Sequence, residues 1–361
     1  MCEPFNGWIL NRDLPVAKVE NNQIVNFNNQ LSPLYIARTK DFEGWLEMRA
    51  IDRHRPNSRL LKKALRLAER DDISTVLSVN AVTITDGYWV REDGSNLSYN
   101  DVRFKVNMFD ELALRGDFNS LNHVPSRTPE LTNIGSYEKC WRLERGEWWL
   151  WKAANTEEMF SELFIYHFGK ALGFPMAEYQ RAGAYVKSKD FTQNATVNFE
   201  PAYSLMHDDE NYAANYKVFK TIEPKLADQY VQLLILDTLC LNADRHTFNY
   251  GVLRSPQTGE ILCLAPNFDN NIALISRGYS SCNRQNDLMV QLFNELETEC
   301  GAVSQYLTRH RLPIVTQEVI STCCKKAGID VDVSYMQQFI LSAYQGMWFP
   351  KQLEESFCME P

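Results

Sequence analysis

Leu241-Asn242-Ala243-Asp244-Arg245-His246-Thr247-Phe248-Asn249-Tyr250-Gly251 is the stretch on which the reading of this chain turns. It follows an apolar run (Leu233, Leu234, Ile235, Leu236, Leu239) whose periodicity predicts a helix over Lys225–Leu241. It precedes a short strand, Tyr250–Leu253. Ser255-Pro256-Gln257-Thr258-Gly259 reads as a turn, Ile261–Leu264 as the returning strand, and Asp269 follows. Asp244, Asn249 and Asp269 are thereby expected on one loop and at the base of one hairpin. Asp and Asn are ordinary turn residues taken singly; their joint spacing, with strands between them, is what carries chemistry.

Phosphoryl transfer needs this set. One carboxylate orients the attacking hydroxyl and accepts its proton, and a carboxamide and a second carboxylate hold magnesium against the phosphates. Asp244 to Asn249 is the five-residue step between the catalytic Asp and the metal-binding Asn of the protein-kinase loop. Asp269 lies 20 residues beyond Asn249, across the hairpin. His246 either steadies the loop by hydrogen bonding or shuttles protons.

Working upstream, Cys140-Trp141-Arg142-Leu143, Glu144-Arg145-Gly146-Glu147 and Trp148-Trp149-Leu150-Trp151-Lys152 predict an aromatic β-hairpin. Asn155-Thr156-Glu157-Glu158 has the form of a capping box, in which Asn155 accepts from the first turn and Glu158 reaches back. Met159, Phe160, Leu163, Phe164 and Leu172 continue as a helix that Gly173 and Pro175 stop. Downstream, helices are expected over Leu288–Leu296, Ile314–Lys326 and Val333–Met347. Tyr185–Asp190 reads as a strand.

The first 130 residues are different in charge. They carry 17 basic and 18 acidic side chains; the other 20 and 28 lie in residues 131–361, so the formal net charge of -9 belongs almost entirely to the second part. That balance argues against a surface built wholly for nucleic acid. Asn57-Ser58 followed by residues 59–68 reads as a capped amphipathic helix, with Arg59, Lys62, Lys63 and Arg66 on its polar face as either a docking surface or a solvated one. Asp86-Gly87 looks like a turn between strands over 81–85 and 88–90, although a helix before Asp86 fits as well. Residues 115–130, with Gly, Asn, Ser and Pro, read as a linker.

With 361 residues and 45% hydrophobic composition, the chain is long enough for two or three domains. No apolar run nears the roughly 18 residues of a membrane span. Met1-Cys2-Glu3-Pro4 does not open a signal peptide, and nine scattered cysteines without zinc spacing fit a reducing, cytoplasmic setting.

Asn242-x-Asp244-x-His246-x-x-Asn249, followed by Asp269 after a strand exit containing Pro266, resembles the catalytic core of HipA-like Ser/Thr kinases. Gly135-Ser136-Tyr137-Glu138-Lys139 resembles that family's phosphate-loop segment, and Glu162 stands where its conserved-helix glutamate would. The likeness is firm from Gly135 to Asp269 and softer in the flanks. It implies an α+β, two-lobed protein-kinase-like fold, with residues 1–130 an N-terminal α/β subdomain, 131–200 a small β-rich ATP lobe and 201–361 a helical lobe. It implies ATP and Mg2+ as cofactors. Asp244 would be the base, Asn249 and Asp269 the metal ligands, and Gly135, Ser136, Lys139 and Lys152 the phosphate contacts, with Glu162 (or Glu158 one turn earlier) pairing Lys152. Residues 185–190 would supply the adenine hinge. Thr132 and Ser136 are either acceptors of self-phosphorylation, which would set negative charge beside an anion site, or ordinary loop hydroxyls. The implied partners are a protein carrying a Ser/Thr acceptor and an antitoxin-like protein, with no membrane and no direct nucleic-acid contact. Asn270-Asn271 stand where protein kinases have Phe-Gly, and there is no three-glycine loop. A small-molecule or lipid kinase, and a non-catalytic nucleotide-binding module, are the rival readings.

Overall fold

The computed structural model describes residues 4–67, 71–122 and 126–349. They fall into two compact units, each assembled from separated segments. The first takes residues 1–154, 177–207 and 251–265; the second takes 155–176, 208–250 and 266–361.

Three antiparallel sheets build the first unit. Strands β1 (Gly7–Asn11), β2 (Leu14–Glu20) and β3 (Gln23–Phe27) form a meander that β4 (Tyr88–Glu92) joins at the β1 edge. The β2–β3 loop is the pair Asn21-Asn22, both at positive φ (51° and 64°), the backbone that a two-residue hairpin matched to strand twist requires and that Asn tolerates. Ile9, Val16, Val19 and Tyr88 bury their side chains under Phe42, Trp45 and Leu46. The aromatic hairpin forms as its sequence predicts, β5 (Lys139–Glu144) against β6 (Glu147–Ala153), turning through Arg145-Gly146 at φ 54° and 87°. β7 (Tyr179–Ala182) and β8 (Tyr185–Lys189) complete that sheet in the order β5-β6-β8-β7. β9 (Asn198–Pro201), β10 (Gly251–Arg254) and β11 (Ile261–Leu264) make the third. Its outer hairpin meets the N-terminal segment so closely that a Cβ on Gly259 (φ 73°) would sit 1.9 Å from the Gln30 carbonyl oxygen. Buried Arg254 pairs with Glu200 at 2.5 Å and donates to the carbonyls of Ser32 and Gln30.

The second unit is mainly helical: Thr156–Ala171, Tyr212–Ile222, Pro224–Cys240, Leu288–Cys300, Ala302–Leu307, Gln317–Ala327 and Val333–Gly346. The Asn155/Glu158 capping box is present in both directions, at 2.8 and 2.9 Å. Pro224 opens the longest helix at its first turn, where its missing N–H costs nothing. Among the described residues no helix is long and apolar enough to cross a membrane.

Several expectations need correction. The helix read over residues 58–68 spans Ser58–Ala64, and Arg66 already has positive φ (59°); Ala68 lies outside the described residues. Asn57 makes no side-chain cap; its amide nitrogen donates to the Ala113 carbonyl (3.3 Å) and to Glu138 (2.9 Å). Residues 81–85 form neither strand nor helix. Asn80 and Ala81 turn the chain at φ 56°, and Asp86 instead gathers Arg49, the Thr83 hydroxyl and the Tyr88 N–H. The end of the expected linker is core: Thr128 and Glu130 are fully buried at a 3-10 turn, Pro129–Thr132. The sequence reading places no element over Tyr212–Ile222 or β9, the latter only four residues long.

Candidate active site

In the second unit, the Pro224–Cys240 helix ends where Leu241 takes a left-handed backbone (φ 52°), and the Asn242 N–H turns back to the Asp237 carbonyl at 2.9 Å. This swings Asn242–Asn249 out of the helix axis as a closed loop. His246 N–H donates to the Asp244 carbonyl (3.0 Å) and Asn249 N–H to the His246 carbonyl (2.8 Å). The Asn249 amide nitrogen donates to the Asp244 carbonyl at 3.0 Å. Only the nitrogen of a carboxamide can make that bond, so Asn249 Oδ1 is the end left to accept or ligate. His246 Nδ1 accepts from the Phe248 N–H at 3.3 Å, the loop-steadying role among its two readings.

Arg245 organises the site, and the sequence reading assigns it no role. Its guanidinium is bidentate on Asp237 (2.9 and 2.9 Å). It also donates to the carbonyls of Asn249 and Phe268, both at 2.7 Å, and to Asn270 Oδ1 at 2.7 Å. One rigid fork therefore ties the Asn242–Asn249 loop to the Asn267–Asn270 segment. Asn242 adds a second tie, from its amide to Asp237 (3.2 Å) and Asn270 (3.1 Å). A lone Asp237 inside the apolar run 233–239 is the sequence signal that points to a buried cationic partner.

Between these ties sits Asp269, partly exposed and held at φ 59°. A left-handed Asp flanked by fixed residues is a strained conformation of the kind found at functional sites. Fully buried Glu162 accepts the N–H of Asn270 at 2.9 Å, so the helix glutamate steadies the residue immediately after Asp269. Asn249 Oδ1 and the Asp269 carboxylate are hard oxygen donors, which suit magnesium, an ion that keeps several waters and takes few protein ligands. Among the described residues no three His, Cys, Asp or Glu side chains gather into a metal cage; a carboxamide with one carboxylate is the set that fits.

In the first unit, Lys152 on β6 stands directly opposite Lys139 on β5, and both side chains are buried on one face. Lys152 Nζ lies 5.9 Å from the Tyr179 ring centroid. Gly135, at φ 110°, has Lys139 lying across it: a Cβ there would fall 2.3 Å from Lys139 Nζ. Gly135 thus supplies both a backbone only glycine adopts comfortably and room for the ammonium group. Ser136 is exposed, whereas Thr132 is buried with its hydroxyl on the Val82 carbonyl (2.6 Å). β8 ends at Lys189, and the carboxylate of the next residue, Asp190, accepts from Thr192 and Asn194 N–H (both 2.8 Å) and is pushed up by burial.

No family model matches this chain, and no curated protein matches it in sequence. Among solved structures, the HipA protein of Shewanella oneidensis MR-1, from a toxin–antitoxin complex with HipB and operator DNA, matches 98% of this chain and 100% of its own at TM-score 0.61 and 11% identity. The proinflammatory kinase CtkA of Helicobacter pylori matches 58% of this chain and 90% of its own at TM-score 0.46 and 18% identity. The full-length match rests on shape alone at that identity, and what it establishes is that this chain has a HipA-like kinase fold.

Proposed function

We propose that this protein is an ATP- and Mg2+-dependent kinase that phosphorylates Ser or Thr in a protein acceptor. The observation that carries the reading is the Asn249 carboxamide, turned by the Asp244 carbonyl so that its oxygen is the free end beside a loop that also presents Asp244. In this reading the Asp244 carboxylate accepts the proton of the acceptor hydroxyl and aims its oxygen. Asn249 Oδ1 and the Asp269 carboxylate hold the metal; Lys152, with Lys139, carries the α/β-phosphates, and Glu162 steadies Asn270 beside Asp269. Gly135 and Ser136 offer backbone N–H groups to phosphate oxygens. His246 fixes the loop. Mg-ATP, when bound, supplies the transferable phosphoryl group and neutralises its charge. An antitoxin-like protein partner and a cytoplasmic setting belong to the same proposal and rest on the resemblance.

Thermal unfolding with nucleotide tests this reading. Mg-ATP at about a hundredfold excess over its dissociation constant stabilises a one-site binder by about 2.7 kcal/mol, which should appear as a clear rise in Tm. The rise should shrink when Mg2+ is withheld and in Asp269→Ala. No shift with Mg-ATP would remove the proposal.

A further inference from the structure

The Arg55–Glu130 pair is as buried as any charge in this protein, with both side chains at 0% exposure and a 3.3 Å contact between them. Burying two ions is costly, and such a pair is weak ground for stability by itself. Its hydrogen bonds point to what it does. Arg55 donates to the Asn133 carbonyl (3.4 Å) and, by a short bond, to the Lys139 carbonyl. Glu130 accepts from the Asn133 amide (2.9 Å) and from the Trp141 N–H (2.7 Å). Asn107 donates at 2.8 Å both to the Glu130 oxygen that takes the Trp141 N–H and to the Trp141 carbonyl. Each ion therefore touches the chain at residue 133 and again at 139 or 141, and neither bonds to anything in 134–138. Burial pushes the Glu130 carboxyl up while Arg55, Asn133 and the Trp141 N–H pull it back.

We infer that Arg55 and Glu130 are positioning residues for the phosphate-binding segment, clamping both of its ends so that Gly135 and Lys139 are held ready between them. This rests on the kinase reading for its consequence, though not for its geometry. A guanidinium fork suits the task, since its donors are fixed in one plane and reach two carbonyls at once. The expected consequence is a change in nucleotide affinity, not in the chemical step.

Asn133→Ala and Ser32→Ala are the variants that decide it: the first removes one donor to Glu130 and leaves Arg55 in place, and the second removes a buried hydrogen bond of the same unit, to the Val16 carbonyl, that touches neither ion. Nucleotide affinity is measured by titration with Mg-ATP, and amide hydrogen exchange is followed over residues 134–138. Asn133→Ala should weaken Mg-ATP binding about tenfold, the scale of one lost hydrogen bond, and speed exchange over 134–138; Ser32→Ala should leave affinity within about twofold and exchange there unchanged. Equal effects of the two variants, or none from Asn133→Ala, would overturn the clamp. If the wild-type protein binds no Mg-ATP, the nucleotide reading falls, and the exchange comparison still decides whether Asn133 ties the segment to Glu130. Glu130→Gln and Arg55→Lys extend the test where they fold: each should raise KM for ATP more than it lowers kcat.

Discussion

Arg245 shows how one side chain can brace a loop whose neighbouring residues draw the chemical reading. With 3% of its side chain exposed against 1% for Asp237, it holds a buried ion pair and two backbone carbonyls from separate segments. In the sequence it lies between Asp244 and His246, the two residues that attract a catalytic reading, and nothing local distinguishes it from a solvent-facing arginine. Asp244, Asn249 and Asp269 attract the phosphoryl-transfer reading because their chemistry and spacing are local; the buried cation that braces this loop depends on Asp237, eight residues earlier and on the helix. Replacing Arg245 by Met leaves Asp237 without its partner in the interior. The expected loss is about 3–5 kcal/mol in urea unfolding. A loss below about 1 kcal/mol would mean that Asp237 finds other donors and that Arg245 does not brace the site.

Elements closed by short-range chemistry were readable: the β5–β6 hairpin, the capped Thr156–Ala171 helix and the β10–β11 hairpin each lie where turn and cap residues put them. Elements decided by distant partners were not. Asn57 bonds Ala113 and Glu138 and makes no cap, and the expected linker ends in the buried Glu130 network. The phosphate-loop segment combines both cases. Its glycine and lysines are visible in sequence, whereas the different fates of its two hydroxyls are not: Thr132 is engaged with Val82 and Ser136 is exposed. If the protein phosphorylates this segment, Ser136 is the expected acceptor. Peptide mapping after incubation with Mg-ATP should find phosphate on Ser136 and lose it in Ser136→Ala, while Thr132→Ala keeps it. Phosphate on Thr132 would mean that the Pro129–Thr132 turn opens to expose it.

For the whole molecule, the sequence resemblance and the full-length likeness to HipA at TM-score 0.61 agree on the fold, although identity is only 11%. What local patterns cannot convey is how the chain is shared out. Segments of the two compact units alternate along the sequence: the helix behind Asn155 and the loop behind Cys240 belong to one, and the hairpin of residues 251–265 between Asn249 and Asp269 belongs to the other. Period and turn signals describe neighbours in sequence, and this partition depends on contacts such as Arg254 with Glu200 and Gly259 with Gln30. The excess acidic charge of residues 131–361 likewise includes groups with individual tasks, Asp237 and Glu162 among them, alongside a solvated surface. The central claim is that Asp244 serves as the base of a phosphoryl transfer. ATP turnover by the wild-type protein and by Asp244→Ala, with Mg-ATP binding followed in parallel, tests it most directly. The account predicts turnover reduced by at least about a hundredfold with binding retained; turnover within about twofold of wild type would contradict it.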